Sequence, residues 1–288
     1  NTSDTIYQYT LSTPWDITSM TYSGLSLSVN SEETSVKAVN FSSDGSKMFI
    51  VGLTSDTIFQ YSLATPWSVD TGTYDSVSLL ISGVETNPAF IMFNDDGSKL
   101  FIGGYASDSI HQFSLPTPYV LTGATDDSTN VNVGVKEPNI RDAAFNNDGS
   151  KLYVVGIDGD AVLQYSLPTP YIITGATYEV SYDTTTTVHN SLVFNSEGTK
   201  MLILDGTTNS IQQYSVNGSI NDNMPILGAT VKDRSVITTP DTIALSGGDL
   251  VSTYPAVDRI STPGRSIQYK ITGNTDNEVT QITTDLWT

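Results

Sequence analysis

The sequence contains no cysteine, which rules out disulfides and thiolate-held metals and leaves the compartment open. Only two histidines are present, so a histidine-rich zinc site is not expected. Basic residues are scarce as well: 12 Lys and Arg stand against 31 Asp and Glu, a net charge of −19. A field of that sign repels phosphate backbones and anionic lipid headgroups, so neither nucleic-acid binding nor attachment to a charged membrane is expected. No apolar run approaches the ~20 residues of a membrane-spanning helix, so membrane insertion is not expected either. Charged residues make up 15% of the chain, against about a quarter in ordinary domains. Ser, Thr, Asn and Gly take the surface role. That composition suits exposed β-structure, because Thr favours strands while Ser and Asn compete with helical hydrogen bonds. The chain lacks an initiator Met and a signal-type leader, and Asn1 falls inside a repeat; the expectation is a piece of a longer polypeptide.

What the 288 residues do contain is a repeat. At this length a chain can bury roughly 75% of its unfolded surface and needs no covalent staples. Phe41-Ser-Ser-Asp44-Gly45-Ser-Lys47-Met-Phe-Ile-Val-Gly52 recurs around Asp96-Gly97 and Asp148-Gly149, at intervals of 52 residues, and again around Glu197-Gly198 after 49. A second signature runs Asp4-Thr-Ile-Tyr-Gln8-Tyr9, then Gln60-Tyr61, Gln112-Phe113, Gln164-Tyr165 and Gln213-Tyr214 in equivalent frames. Four of these continue into Thr-Pro-aromatic, at Trp15, Trp67, Tyr119 and Tyr171. A register of Gly-Ala-Thr at 123–125, 175–177 and 228–230 persists into a degenerate stretch from about residue 217, where Gly247-Gly248 holds the place of the next hairpin.

Each unit offers four strands; in the second they are expected near 88–93, 99–103, 109–115 and 128–134. Asp-Gly marks a hairpin, since Gly accepts positive φ and the Asp side chain can hold nearby amides. The second strand, such as Met48-Phe49-Ile50-Val51, is apolar throughout and suits burial on both faces. The third alternates, Ile58, Gln60 and Ser62 on one face and Phe59, Tyr61 and Leu63 on the other. The fourth suits an outer edge. Four-stranded antiparallel units that must bury both faces stack as propeller blades. The expected fold is therefore an all-β propeller spanning 1–255, with a C-terminal strand pair or docking tail over 256–288. Five Asp-Gly-type hairpins and five Gln-aromatic strands suggest about five blades, closed by pairing of residues 242–255 with 5–30. Six or more blades are the alternative, with Gln268-Tyr269 as a sixth such strand. The Thr-Pro aromatics are expected to fill gaps between blades.

No catalytic or cofactor site is expected. His111 sits in a variable slot of the third strand, and His189 has no second ligand at metal spacing. Asp44, Asp96, Asp148 and Glu197 recur as turn residues, and Asp4, Asp56, Asp108 and Asp160 are read as caps at the start of the third strand. Asp158 and Asp160, and the Asn217–Asn223 loop, are weak calcium candidates that match no twelve-residue calcium loop. Gly-rich phosphate loops and nucleophile elbows are absent. Asn1, Asn40 and Asn217 begin glycosylation sequons.

The Asp-Gly-Ser-Lys-Met-Phe-Ile-Val-Gly string at 44–52, with its Gln-Tyr strand and Thr-Pro-Trp, resembles propeller repeats of bacterial and archaeal surface-layer-like proteins. It resembles still more closely repeats in tail and fibre proteins of marine bacteriophages. The likeness covers residues 1–216, and Gly264–Trp287 is similar to the C-terminal strand pair of some podophage tail nozzle proteins. The resemblance implies a non-enzymatic virion structural protein in a tail nozzle, tip or fibre. It implies virion or surface proteins as partners, homo-oligomers, and a host-surface glycan as a further ligand. The chain departs from the pattern in losing the Thr-Pro-aromatic element after Tyr171. An extracellular adhesion protein that binds glycans is the alternative; a propeller enzyme of the lyase or lactonase type comes behind it, because histidine is so scarce.

Overall fold

The computed structural model describes residues 4–14, 16, 19–184, 188–195, 198–208, 210–215, 243–244, 266–272 and 279–283. It is all-β and propeller-like. A hairpin of β1 (Thr5–Leu11) and β2 (Met20–Ser28) comes first. Three four-stranded antiparallel blades follow. The first holds β3 (Val36–Phe41), β4 (Lys47–Gly52), β5 (Thr57–Leu63) and β6 (Gly72–Leu80). The second holds β7 (Pro88–Phe93), β8 (Lys99–Gly104), β9 (Ser109–Ser114) and β10 (Thr125–Asn132). The third holds β11 (Ile140–Phe145), β12 (Lys151–Gly156), β13 (Ala161–Ser166) and β14 (Thr177–Asp183). A fourth blade contributes β15 (His189–Phe194), β16 (Lys200–Asp205) and β17 (Ser210–Ser215).

Each blade is formed by the local chemistry of its turns. At Asp44-Gly45 the Asp44 carboxylate accepts the Ser46 amide at 2.9 Å and the Ser42 hydroxyl at 2.7 Å. Those bonds hold its pKa down at about 2. Asp96 and Asp148 accept Ser98 N and Ser150 N in the same way. Gly45 takes φ 70° and would place a Cβ 2.3 Å from the Trp67 ring, so no other residue fits. The Thr-Pro aromatics border the gaps between blades, Tyr119 against the cluster that joins the first blade to the second and Tyr171 against Asp95 of the second blade, and they are also tied to their own blade's turn. Trp67, Tyr119 and Tyr171 adopt positive φ themselves, donate their amides to the carbonyls of Gly45, Gly97 and Gly149, and lie over their own blade's turn. Gly198 also has positive φ; Glu197 lies outside the described residues.

The start of the third strand differs from expectation. Asp56, Asp108 and Asp160 sit in the left-handed region, at φ 48–50°, which Asp tolerates better than most residues. It is the Asp56 carbonyl that accepts Ile81 N and the Asp108 carbonyl that accepts Val133 N. The carboxylate oxygens Oδ1 of Asp56 and Asp108 have no partner.

Apolar clusters between consecutive sheets form the core. One joins the β1–β2 hairpin to the first blade (Val29, Met48, Ile50, Tyr61, Leu63). The others join the first blade to the second around Phe49 and Leu100, the second to the third around Phe101 and Leu152, and the third to the fourth around Tyr153 and Met201. The second strands β4, β8 and β12 are buried on both faces, as their apolar runs require.

Five blades are not what the described residues contain: there are four, preceded by half of another. Among the described residues the pairing does not show the expected closure, and residues 245–255 lie outside them. β18 (Ile243–Ala244) pairs in parallel with β19 (Ser266–Thr272), which pairs with β20 (Val279–Thr283), whereas β1 pairs with β2. Counting turn motifs cannot reveal closure, because closure depends on which edge the final strands reach.

Candidate functional site

The polar side chains that recur every 52 residues converge on two places in each blade. The first lies at the outer edge. A bulge in the fourth strand, opposite Gln60 and Tyr61, turns Asp75 inward. Its carboxylate accepts Gln60 Nε2 at 2.7 Å and faces Lys47 Nζ at 3.3 Å. Asp127 does the same for Gln112 (2.6 Å) and Lys99 (2.9 Å). Glu179 does so for Gln164 (2.6 Å) and Lys151 (2.7 Å). Burial opposes the charge of Asp75, but hydrogen bonds from Gln60 and Ser62 and the charge of Lys47 outweigh it and lower its pKa. Asp127 and Glu179 are lowered for the same reasons.

The other end of each glutamine reaches across to the next sheet. Gln8, Gln60 and Gln112 accept the backbone amides of Val69, Leu121 and Ile173, 61 residues on, at 2.9–3.0 Å. One carboxamide therefore ties its own blade's edge to the following blade's Thr-Pro turn. Gln164, whose following blade has no Thr-Pro-aromatic element, accepts the Tyr182 hydroxyl instead.

The second place was not singled out in the sequence: Glu33, Glu85 and Glu137, all buried. Glu85 accepts the amides of Asn87, Ala106 and Ser107 and the Ser107 hydroxyl. Glu33 and Glu137 hold the matching loops, Ser35/Thr54/Ser55 and Asn139/Asp158/Gly159. Burial raises the pKa of Glu33, and its bonds to Ser55, Ser35 and Thr54 more than reverse that. The spacing of 52 was the available signal.

Departures from the repeat mark the remaining candidates. Arg141 stacks on Tyr105 at 4.4 Å and bonds its hydroxyl, leaving Nε without a partner. Asp142, where other blades carry Ala38 and Phe90, accepts Ser191 Oγ at 2.7 Å and Leu192 N at 2.9 Å on the fourth blade. Burial pushes its carboxyl up to about 6, against the pull of those bonds. Asp158 bonds Asn139, and Asp160 lies in its left-handed turn. Among the described residues, no three His, Asp or Glu side chains group as a metal site. The Asn217–Asn223 candidate lies outside them. His189 is buried and uses its ring nitrogens on Gly156 O (3.2 Å) and Thr184 Oγ1 (2.5 Å), and desolvation lowers its pKa. His111 is also lowered by burial, and its Nε2 has no partner. The sequon residue Asn40 donates its side-chain amide to Ile91 O between blades.

The crevices between blades are not alike. Between the second and third, the Tyr171 hydroxyl closes onto Asp95 Oδ2 at 2.7 Å. Between the first and second, Ser43 stands where Asp95 would be, and the Tyr119 hydroxyl turns to the Asp95 carbonyl. An open groove of about 470 Å³ remains, lined by Val39, Phe41, Trp67, Phe93, Asp95 and Tyr119. Trp67 stacks on Phe41 at 5.6 Å, and half of its surface is exposed.

No known family matches the chain, and no curated protein does. Solved structures are similar in fold. A protein of unknown function from Desulfotomaculum acetoxidans matches with a TM-score of 0.51 at 13% identity, over 81% of this chain and 67% of that one. A protein from Lactobacillus plantarum matches at 0.51 and 16%, over 68% and 55%. A periplasmic gluconolactonase from Pseudomonas aeruginosa reaches 0.44 at 17%, over 63% and 50%, too loose a likeness to bear on activity. The chain thus spans about half to two thirds of the length of these structures.

Proposed function

We propose that this chain is a non-enzymatic structural and binding repeat protein of a phage virion, in a tail nozzle, tip or fibre. The observation that carries the non-enzymatic part is how the recurring polar groups are used. The Gln, Lys and bulge carboxylates brace each blade edge, and the buried glutamates hold backbone amides. Such groups are fixed in place and not poised to exchange protons with a substrate. The virion setting rests on the resemblance of residues 1–216 to tail and fibre repeats. Mass spectrometry of purified particles tests it: the chain is expected among the structural proteins, and its absence ends the reading. A lactone-hydrolysis assay on the purified chain is expected to show no turnover above buffer; turnover that depends on Asp142 or His189 would restore the enzyme reading.

The open groove favours a second reading, in which the chain binds glycans at a cell surface. A rigid, exposed indole offers an apolar plane to a sugar's C–H face, with Asp95 beside it to accept hydroxyls. The surrounding charge favours neutral over anionic sugars. A glycan panel with the chain and its Trp67→Ala variant tests this. Loss of binding in the variant supports it, and equal binding removes the groove from consideration.

A further inference from the structure

The repeat builds one polar contact between successive sheets in three versions. Glu32, Val84 and Lys136 follow one another at intervals of 52. All three leave the same turn, each amide bonded to the carbonyl three residues earlier, of Val29, Ile81 and Val133. Tyr61, Phe113 and Tyr165 hold the matching places in the third strands, paired with Tyr74, Asp126 and Tyr178 in the fourth. Ahead of the first blade, the Tyr61 hydroxyl donates to Glu32 Oε2 at 2.9 Å. Between the first and second blades, Val84 and Phe113 belong to one apolar cluster, and no hydroxyl needs an acceptor. Between the second and third, the hydroxyl has returned without its carboxylate. Tyr165 is 4% exposed, and its hydroxyl has no hydrogen-bond partner among the described residues. The Lys136 ammonium lies 3.8 Å from the centre of the Tyr178 ring. The ion pairs among the described residues belong instead to Lys47, Lys99 and Lys151. Lys136, Tyr165 and Tyr178 line a hollow of about 340 Å³ together with Asn130, Val135 and Ala176. Both blades that form it have all four strands described.

We propose that this crevice binds a hexuronate sugar, whose carboxylate takes the place that the Glu32 carboxylate holds ahead of the first blade. The carboxylate accepts from the Tyr165 hydroxyl and from the Lys136 ammonium, the second a charge-assisted bond. Burial pushes the Tyr165 hydroxyl up to about 12, so at neutral pH it is a donor. A buried hydroxyl without an acceptor is costly, and the ligand removes that cost. Tyr178 and Val135, which is 98% exposed where the previous turn has Gly83, offer apolar surface to the C–H face of the ring. Asn130, exposed and without a bond of its own, can serve a ring hydroxyl. The volume is at the small end for ligand pockets, about 300–1,000 Å³, and suits one sugar unit. One ammonium balances one carboxylate, whereas a phosphate brings up to about two charges. No acidic residue lines this hollow, in contrast to Asp95 in the groove beside Trp67, and charges more than about 8–10 Å away are screened by salt.

The inference rests on neither the virion setting nor the groove at Trp67. Isothermal titration of the full chain with glucuronate, glucose and N-acetylaspartate tests it. Glucuronate should bind, and the other two at least tenfold more weakly. The decisive variants borrow residues that other repeats carry in the same places. Lys136→Glu gives Tyr165 the acceptor that Tyr61 has, and it should abolish glucuronate binding. Tyr165→Phe copies Phe113 and should weaken binding about tenfold. Near-ultraviolet circular dichroism verifies packing, and Lys136→Val, after Val84, stands in if Lys136→Glu unfolds. Trp67→Ala should leave glucuronate binding unchanged. Absence of binding at millimolar glucuronate, equal binding of glucose or N-acetylaspartate, binding unmoved by the Lys136 variants, or binding lost in Trp67→Ala each overturns the proposal.

Discussion

The first three blades and the fourth solve the same problem with different residues. In the first and third, a buried glutamate (Glu33, Glu137) holds the loop after the second strand, and the strand ends in glycine. The two positions are coupled by space. A Cβ on Gly52 would lie 2.4 Å from Glu33, and one on Gly156 would lie 2.3 Å from Glu137. In the fourth blade the sequence has Thr186 at the glutamate's place and Asp205 at the glycine's. Asp205 accepts Thr207 N and Thr208 Oγ1, the counterparts of Thr54 N and Ser55 Oγ held by Glu33. The comparison teaches that the repeat preserves a carboxylate at a point in space rather than a residue at a point in sequence. Buried amides that lose an acceptor are costly, and either route supplies one.

The largest effect should come from breaking that arrangement. Glu137→Ala takes the buried acceptor from the amides of Asn139, Asp158 and Gly159, and at about 1 kcal/mol each, because the loop itself is half-exposed, about 3 kcal/mol of unfolding free energy should be lost. Urea denaturation measures this. Placing Gly156→Asp in a Glu137→Thr background recreates the fourth blade's solution in the third; it should recover at least half of the loss from Glu137→Thr alone. If the double variant is no better than the single, the two carboxylates are not equivalent.

The next effect sharpens the contrast between glutamines. Gln112→Ala removes bonds to Asp127 and to Ile173 N, for a loss of about 2–3 kcal/mol, because both partners are left in a largely buried setting. Gln213→Ala, which breaks no such bond among the described residues, should change stability by less than about 0.5 kcal/mol. Comparable losses at both positions would contradict the assignment of the carboxamide as the link between blades.

A further contrast lies in how the buried and half-buried carboxyls respond to pH. Asp142 has its pKa raised from 3.8 to about 6 by burial, so the folded state binds that proton more tightly than the unfolded chain does. Its contribution is full below about 3.8 and is lost as pH rises through 6, by at most about 3 kcal/mol. Glu33, Asp75, Asp127 and Glu179 are lowered. Their contribution is full above the unfolded carboxyl range and is lost as pH falls through their depressed folded values. Asp142→Asn should therefore flatten the stability profile between pH 4 and 7 and leave the acid limb below pH 4 unchanged. An unchanged slope between pH 4 and 7 would remove Asp142 as its source.

The smallest effect concerns the two crevices. Tyr171→Phe removes the bond to Asp95 and should cost no more than about 1 kcal/mol, while opening the second crevice to resemble the first. If a glycan binds beside Trp67, this variant should bind a second one weakly; an unaltered stoichiometry counts against the crevice comparison.

The turns and the third strands were legible in the sequence because each performs its task within a few residues of its own position. Asp44 holds Ser46 two residues on, and Gln60 stands on a strand whose alternation is visible. The partners of these residues were less legible. Asp75, Asp127 and Glu179 sit in a strand-four bulge, where an extra residue breaks the alternation and the residue type changes. Glu33, Glu85 and Glu137 recur at the repeat interval but precede the first strand, in a loop that resembles no motif. Trp67 and Tyr119 were legible as repeat residues at the gaps between blades; that a backbone turn at positive φ also lays each ring over its own glycine was not. Blade number was not legible, because it depends on long-range pairing and not on local pattern.

The central claim is that buried glutamates hold the loops that follow the second strands. Hydrogen exchange of the backbone amides tests it most directly, since the amides of Thr54, Ser55, Ala106, Ser107, Asp158 and Gly159 lie in loops. Protection of these amides approaching that of the flanking strands, lost around Ala106 and Ser107 in a Glu85→Ala variant, is the predicted result. Exchange in the unaltered protein at the rate of solvent-exposed loops would contradict the account.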